Sequence, residues 1–248
     1  MRMAVKLRCW LVVAGSGLLS AAVAQSPPLL VDAADIPPFS YQTMTGDRGL
    51  ALDILREAGA ASGVGLQFRF LPWLRAQAET RASRDRLIIP LTRTPEREAQ
   101  YTWLAKLCDY RFVLFSAGKP PPATLDEARK LRIAVLRSNP AEALLRQQGF
   151  TRLEANTSED TNARMLAAGR VDVWVAADIA ATAIYREAGG DVGRLRSGPQ
   201  VGEPMAIYLA ASPGYADPQG RALADAINRL QRNGTAARIV ARYRSTVP

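Results

Sequence analysis

Thr92, Thr94 and Arg97 stand close together in the stretch LIIPLTRTPER, residues 87–97, and residues of these types at this spacing could hold a small anion. The chemistry is electrostatic: hydroxyl donors beside a planar guanidinium that can meet a carboxylate at two points. Leu87, Ile88 and Ile89 read as a buried strand, Thr94 as an N-cap and Pro95 as the first helical residue. A helix starting there turns unpaired N–H groups and the positive end of its dipole toward the same spot. A guanidinium in a first helical turn opposes that dipole, so its presence argues for an anion beside it. The plainer reading of an isolated Arg97 is a solvated surface charge.

Other chemistry is scarce. The chain of 248 residues contains no histidine, which removes the commonest general base and metal ligand. It shows no G-x-S-x-G, no metal-ligand cluster and no phosphate-cradling glycine loop, so no catalytic residue, metal or cofactor is expected, although carboxylate-based catalysis stays open. Residues 1–24 read as a cleaved secretory signal: Arg2, Lys6 and Arg8, then an apolar run, then Ala22 and Ala24. A retained anchor is the competing reading, but Gly15, Ser16, Gly17 and Ser20 interrupt a run already short for a membrane span. Removal of that segment takes Cys9 with it and leaves Cys108 alone, so no intramolecular disulfide is expected and Cys108 reads as a buried apolar thiol. It also lowers the net charge from +9 to +6 by removing three basic residues. The arginines are scattered rather than gathered in a stripe with aromatics, which argues against nucleic acid and suits small anions.

The elements that must position the anion site follow from patterning. Leu29–Val31 is a short strand that ends in ADIPPFSY, where Pro37 and Pro38 enforce an extended loop carrying Phe39 and Tyr41. Leu50, Leu52, Ile54, Leu55 and Ala58 define an amphipathic helix stopped by Gly63. Leu66–Phe70 is the next strand, followed by a helix with Trp73 and Arg75 in its first turn. Strand, helix, strand, helix, strand, helix implies parallel pairing, and ligands then bind beyond the carboxyl ends of the strands. Phe39, Trp73 and Thr92–Arg97 all follow predicted strands and so converge on one edge. A second α/β series begins after GKPPPAT: a strand at Arg132–Leu136, a helix capped by Asn139, another capped by Thr157 or Ser158, a strand at Val171–Ala176, and Asp178 two residues on. Two β-rich runs, residues 110–115 and 205–211, enclose this series and predict a two-strand hinge, with the last two helices packed back on the first lobe.

Taken in order, PPFSY, GLALD, PWLRA, TRTPERE and AAGRVDVWV resemble the family 3 extracellular solute-binding proteins, the periplasmic polar-amino-acid type that serves ABC transporters. The resemblance covers nearly the whole chain after the signal. It implies a two-lobed α/β periplasmic-binding-protein fold with the ligand cleft between lobes: residues 25–112 in lobe one, 113–204 in lobe two, 205–248 returning to lobe one. It implies that Arg97 pairs with a ligand carboxylate with help from Thr92, and that Phe39 and Trp73 pack on the ligand side chain; Tyr41 in the same loop as Phe39, and Arg75 as a basic residue near a strand end, are candidates from the residues alone. It further implies that the Pro90 carbonyl accepts a ligand bond in a position usually held by glycine, that Ser138 and Asn139 donate from lobe two, and that Asp178 receives the α-ammonium. Asp178 falls one residue later than in the pattern; if it misses the cleft, a plain carboxylate becomes the better ligand. Arg93 and Arg137 are further basic candidates near strand ends. The function implied is periplasmic capture of an amino acid or related small carboxylate for an ABC permease, by a monomer without catalysis. The alternatives are a ligand-sensing module for a membrane receptor and a cyclohexadienyl-dehydratase-like enzyme on the same scaffold.

Overall fold

The computed structural model describes residues 26–244; the signal expected over residues 1–24 lies outside the described residues. In chain order they form β1 (Leu29–Ala33), the hairpin strands β2 (Tyr41–Thr43) and β3 (Gly46–Arg48), α1 (Leu50–Ser62), β4 (Leu66–Phe70), α2 (Trp73–Ala82) and β5 (Leu87–Thr92). A 3-10 turn over Pro95–Gln100 leads into the long β6 (Thr102–Ala117). Next come α3 (Leu125–Ala128), β7 (Ile133–Leu136), α4 (Pro140–Gln147), β8 (Leu153–Asn156), α5 (Glu159–Ala167), β9 (Val173–Ala177) and α6 (Ala181–Glu187). The equally long β10 (Leu195–Ala211) precedes α7 (Pro218–Arg232) and α8 (Thr235–Tyr243).

Local chemistry accounts for the helix ends. Gly63 closes α1 in the left-handed conformation, φ 73°, with its N–H on the Gly59 carbonyl. Side chains of Asn139, Ser158 and Asp217 accept backbone N–H groups at the starts of α4, α5 and α7. α1 buries Leu50, Leu52, Ile54, Leu55 and Ala58, and α7 and α8 pack on it. The Tyr243 hydroxyl bonds the Asp53 carboxylate at 2.7 Å, and Gln231 donates to the Lys106 and Leu107 carbonyls. The last two helices thus lie against the first half of the chain.

The sheet order is β4-β1-β5-β10-β6-β9-β7-β8. β4, β1 and β5 are mutually parallel, as are β9, β7 and β8, while β10 and β6 join the two sets by antiparallel pairing. Register fixes how the sets meet. β5 ends with Thr92 opposite Ile207, which faces Cys108; β9 ends with Ala177 opposite Phe112. The two parallel sets therefore run head to head and stop on either side of the middle of the β6/β10 ladder. Their carboxyl ends are separated along β6 by four residues, about 13 Å.

Several expectations need correction. The strand expected at Leu87–Ile89 continues through a cis Ile89–Pro90 bond to Thr92. The helix expected from Thr94 is a six-residue 3-10 turn in which nothing is buried and Thr94 caps no backbone N–H. Its hydroxyl instead bonds the Glu96 carboxylate, which is held below its ordinary pKa by that bond first. Without an apolar stripe, PEREAQ has no packing to extend it into an α-helix. Phe39 is not displayed by its loop: it is buried in the core. The β-rich runs at 110–115 and 205–211 are the middles of the two long strands.

Candidate functional site

The gap between the two sets of strand ends has Tyr110 on its floor. This buried side chain lies on β6 between the positions facing β5 and β9, and its hydroxyl is 3.2 Å from the Thr92 hydroxyl and 3.7 Å from the Met205 sulfur. Burial pushes its pKa up to about 12, against the pull of the Thr92 bond, so the phenol is neutral and can donate or accept. Phe39 meets the Tyr110 ring edge-on at 5.8 Å, and Phe112 continues the stack at 5.3 Å. Asp109 and Arg111, both exposed, bracket the buried Tyr110 on β6; that alternation is the signal that could have marked the position from sequence.

Arg97 sits beside this floor, half-buried. One guanidinium nitrogen donates to the Thr92 carbonyl at 3.1 Å, and no acidic group lies within ion-pair distance of it among the described residues. Its charge reaches Tyr110 and Tyr101, lowering both against the larger effect of burial. The neighbouring Arg93 is different: Glu98 holds it through two bonds, and Trp103 and Tyr208 cover it at 5.4 Å each. Arg97, Thr92 and Phe39 are therefore brought together around Tyr110, with Pro90 buried two residues up β5.

The other expected residues lie elsewhere or are occupied. Asp178 follows β9 directly and accepts the Arg111 backbone N–H at 3.1 Å and its Nε at 3.2 Å, so its two oxygens are engaged. The Ser138 N–H, which a ligand carboxylate would need, donates to the Glu142 carboxylate at 2.7 Å, and Asn139 accepts the Glu142 N–H at 2.9 Å. Together these form a capping box on α4. Ser138 holds φ 60° to do so. Arg75 is exposed and tied to Glu79 at 2.6 Å. Tyr41 lies in the β2/β3 hairpin, paired with Arg48. Arg137 donates to the Ala155 carbonyl. Trp73 lines a cavity of about 310 Å³ at the carboxyl ends of β1 and β4. Cys108 is buried, its thiol pushed up to about 12 chiefly by burial, as an inert apolar thiol should be.

No group of side chains suited to a metal ion occurs among the described residues, and none of their helices is long and apolar enough to cross a membrane. No family model and no curated protein sequence matches the chain. Solved structures do match. A histidine kinase sensor domain with similarity to periplasmic binding proteins is 20% identical, with TM-score 0.74, covering 88% of this chain and 96% of its own. The substrate-binding protein of an amino acid ABC transporter is 19% identical, with TM-score 0.70, covering 88% and 99%. The GluR0 ligand-binding core from Nostoc punctiforme, in complex with (L)-glutamate, is 16% identical, with TM-score 0.70, covering 87% and 99%. These are proteins of the kind the ordered motifs resemble, and at this level of identity what is shared is the architecture. With its parallel strand sets meeting head to head across a two-strand ladder, the chain has the two-lobed α/β fold of the periplasmic binding proteins.

Proposed function

We propose that the protein captures an amino acid or related small carboxylate in the periplasm and delivers it to an ABC-transporter permease, as a monomer and without catalysing a reaction. Lobe one comprises residues 25–112 and 205–248, lobe two residues 113–204, and residues 1–24 are the cleaved signal that directs export. The observation that carries the reading is the charge balance at the strand ends: Arg97 makes no ion pair among the described residues, the neighbouring Glu96 feeling its charge only from beyond contact distance, while the Thr92 and Tyr110 hydroxyls stand beside it. A half-buried cation with no carboxylate in contact favours an anionic guest, and a carboxylate matches its planar fork. Thr92 and Phe39 would help position that guest, with closure of the lobes excluding water around it.

The neighbours named above support binding rather than turnover, and their ligand, where stated, is an amino acid. Calorimetric titration of a panel of amino acids and small carboxylates into wild type and Arg97→Ala tests the reading: a ligand bound by the first and lost by the second is expected, and equal affinity in both refutes the anchor. The sensor-domain neighbour favours a second reading, a ligand-sensing module docked to a membrane receptor. A permease and an ATPase encoded beside the gene would decide for transport.

A further inference from the structure

We infer that the outer face of α7 and α8 is a docking surface for an anionic phospholipid bilayer. The inference stands apart from the cleft and uses only the export reading above, which puts the protein beside a membrane. Residues 218–244 contain Arg221, Arg229, Arg232, Arg238, Arg242 and Arg244 against Asp225 alone, a net +5. The whole chain beyond the signal carries only +6, the full +9 less three basic residues. All six arginines are exposed, and none makes an ion pair among the described residues.

Packing decides which way they point. α7 buries Leu223, Ala226, Ile227 and Leu230, which leaves Arg221, Arg229 and Arg232 on its opposite stripe. α8 buries Ile239 and Val240, and Arg238 and Arg242 stand one turn apart on its outside. Gln231 bonds the Lys106 and Leu107 carbonyls and Arg244 the Asp109 carbonyl, which brings the ends of both helices to one short stretch of β6. Lys106 and Asp109 there neutralise each other at 2.8 Å. Toward α1, Arg238 and Arg242 line a cavity of about 730 Å³ together with Arg56. Acids offset little of this charge. Asp53 is held by the Tyr243 hydroxyl at 2.7 Å and by Arg56 at 3.6 Å, so Glu57 is the one carboxylate of that cavity without an ion pair among the described residues.

The kind of partner follows from what the face lacks. Among the described residues the exposed large apolar side chains are Met44 and Leu74, and neither is on these helices. A protein interface buries apolar anchors at its centre, and this face offers none. Neither helix is free to insert into lipid, because its apolar stripe is already in the core. Spread positive charge without an apolar centre fits a surface of spread negative charge, the headgroups of an anionic bilayer, held by electrostatics alone and so weakened by salt.

Co-sedimentation of the chain from residue 25 onward with vesicles tests this, the signal being left out because its apolar run would bind lipid by itself. The probes are vesicles of phosphatidylcholine alone and of phosphatidylcholine mixed with phosphatidylglycerol. The expected result is binding to the mixed vesicles only, falling steeply as salt rises toward about 0.15 M. Arg238→Gln/Arg242→Gln and, separately, Arg229→Gln/Arg232→Gln should each weaken it about tenfold or more without changing the melting temperature. Arg170→Gln/Arg186→Gln removes the same charge from exposed positions in lobe two and should leave binding within about twofold. Equal weakening by the lobe-two pair makes overall charge the cause and overturns the proposal, as does equal binding to both kinds of vesicle or binding to neither. Adsorption to poly-L-glutamate without adsorption to the mixed vesicles assigns the face to an acidic polypeptide and overturns the lipid partner. The Arg97 anchor is tested by its own ligand titration and stands or falls separately.

Discussion

One nitrogen of Arg97 is fixed on the Thr92 carbonyl, and its remaining donors touch no acid among the described residues. Arg97→Ala should therefore weaken carboxylate binding by about 2–5 kcal/mol, roughly thirtyfold to several thousandfold, while the melting temperature moves by no more than a few degrees. Asp32 shows the opposite economy. It is fully buried on β1 and is reached by Arg69 at 2.7 Å, Arg86 at 3.5 Å and the Thr80 hydroxyl at 3.3 Å. Removing one side of such a cluster strands the other, so Asp32→Ala should cost about 3–5 kcal/mol in urea unfolding. Glu159 titrates in a further sense. Its carboxylate is turned inward, where burial raises its pKa despite bonds from Asn162 at 2.9 Å and Trp174 at 2.8 Å. A raised folded-state value means its contribution to stability is complete below the ordinary carboxylate pKa and is lost as pH rises through the folded one. Glu159→Gln, which resembles the protonated form, should melt on the order of 2–4 °C above wild type at pH 8, with the difference closing toward pH 4. A constant difference across that range would show that ionisation is not involved.

Among the elements, the loop before α1 sets the aromatic floor. Leu50 and Ala51 donate to the Pro38 and Phe39 carbonyls, and the intervening Gly49 has φ 133°. A Cβ at Gly49 would overlap the Phe39 carbonyl, so Gly49→Ala must push that loop away from Tyr110. Loss of both stability and ligand affinity is expected, the first by about 2–4 kcal/mol in denaturant unfolding. Helices with a capping side chain and an apolar stripe, such as α4, α5 and α7, could be read from sequence because cap, stripe and stop agree. The β2/β3 hairpin could not: QTMTGDR has no alternating pattern, and its turn is held by the Thr43 hydroxyl on the Gly46 carbonyl at 2.7 Å. The lengths of β6 and β10 were also hidden, since charged residues such as Lys106, Asp109 and Arg111 fall on their exposed positions and break the apolar run. The occupied state of Asp178 and Ser138 depends on Arg111 and Glu142, and a hydrogen bond between side chain and strand edge leaves no periodic trace. The short stretch that drew attention to Arg97 was read through a helix start that is only a 3-10 turn, so the strand and the Thr92 hydroxyl are the cues that remain there.

For the molecule as a whole, a guest held between the lobes ties them together. Small-angle scattering should show a smaller radius of gyration with saturating ligand than without, and identical values would count against closure. Ligand at a hundredfold excess over its dissociation constant should stabilise the fold by about 2.7 kcal/mol, visible as a thermal shift. The β6/β10 ladder is where any such movement has to be absorbed. Its pairing is irregular between Ser197 and Gln200 and again between Val201 and Met205, with Gly202 at φ 70° inside the second break. Main-chain amides beside those gaps give up few cross-strand bonds when the ladder flexes. In deuterium exchange they should label quickly in the free protein and slow down once a guest is held, while the central amides of β1 and β7 stay protected throughout.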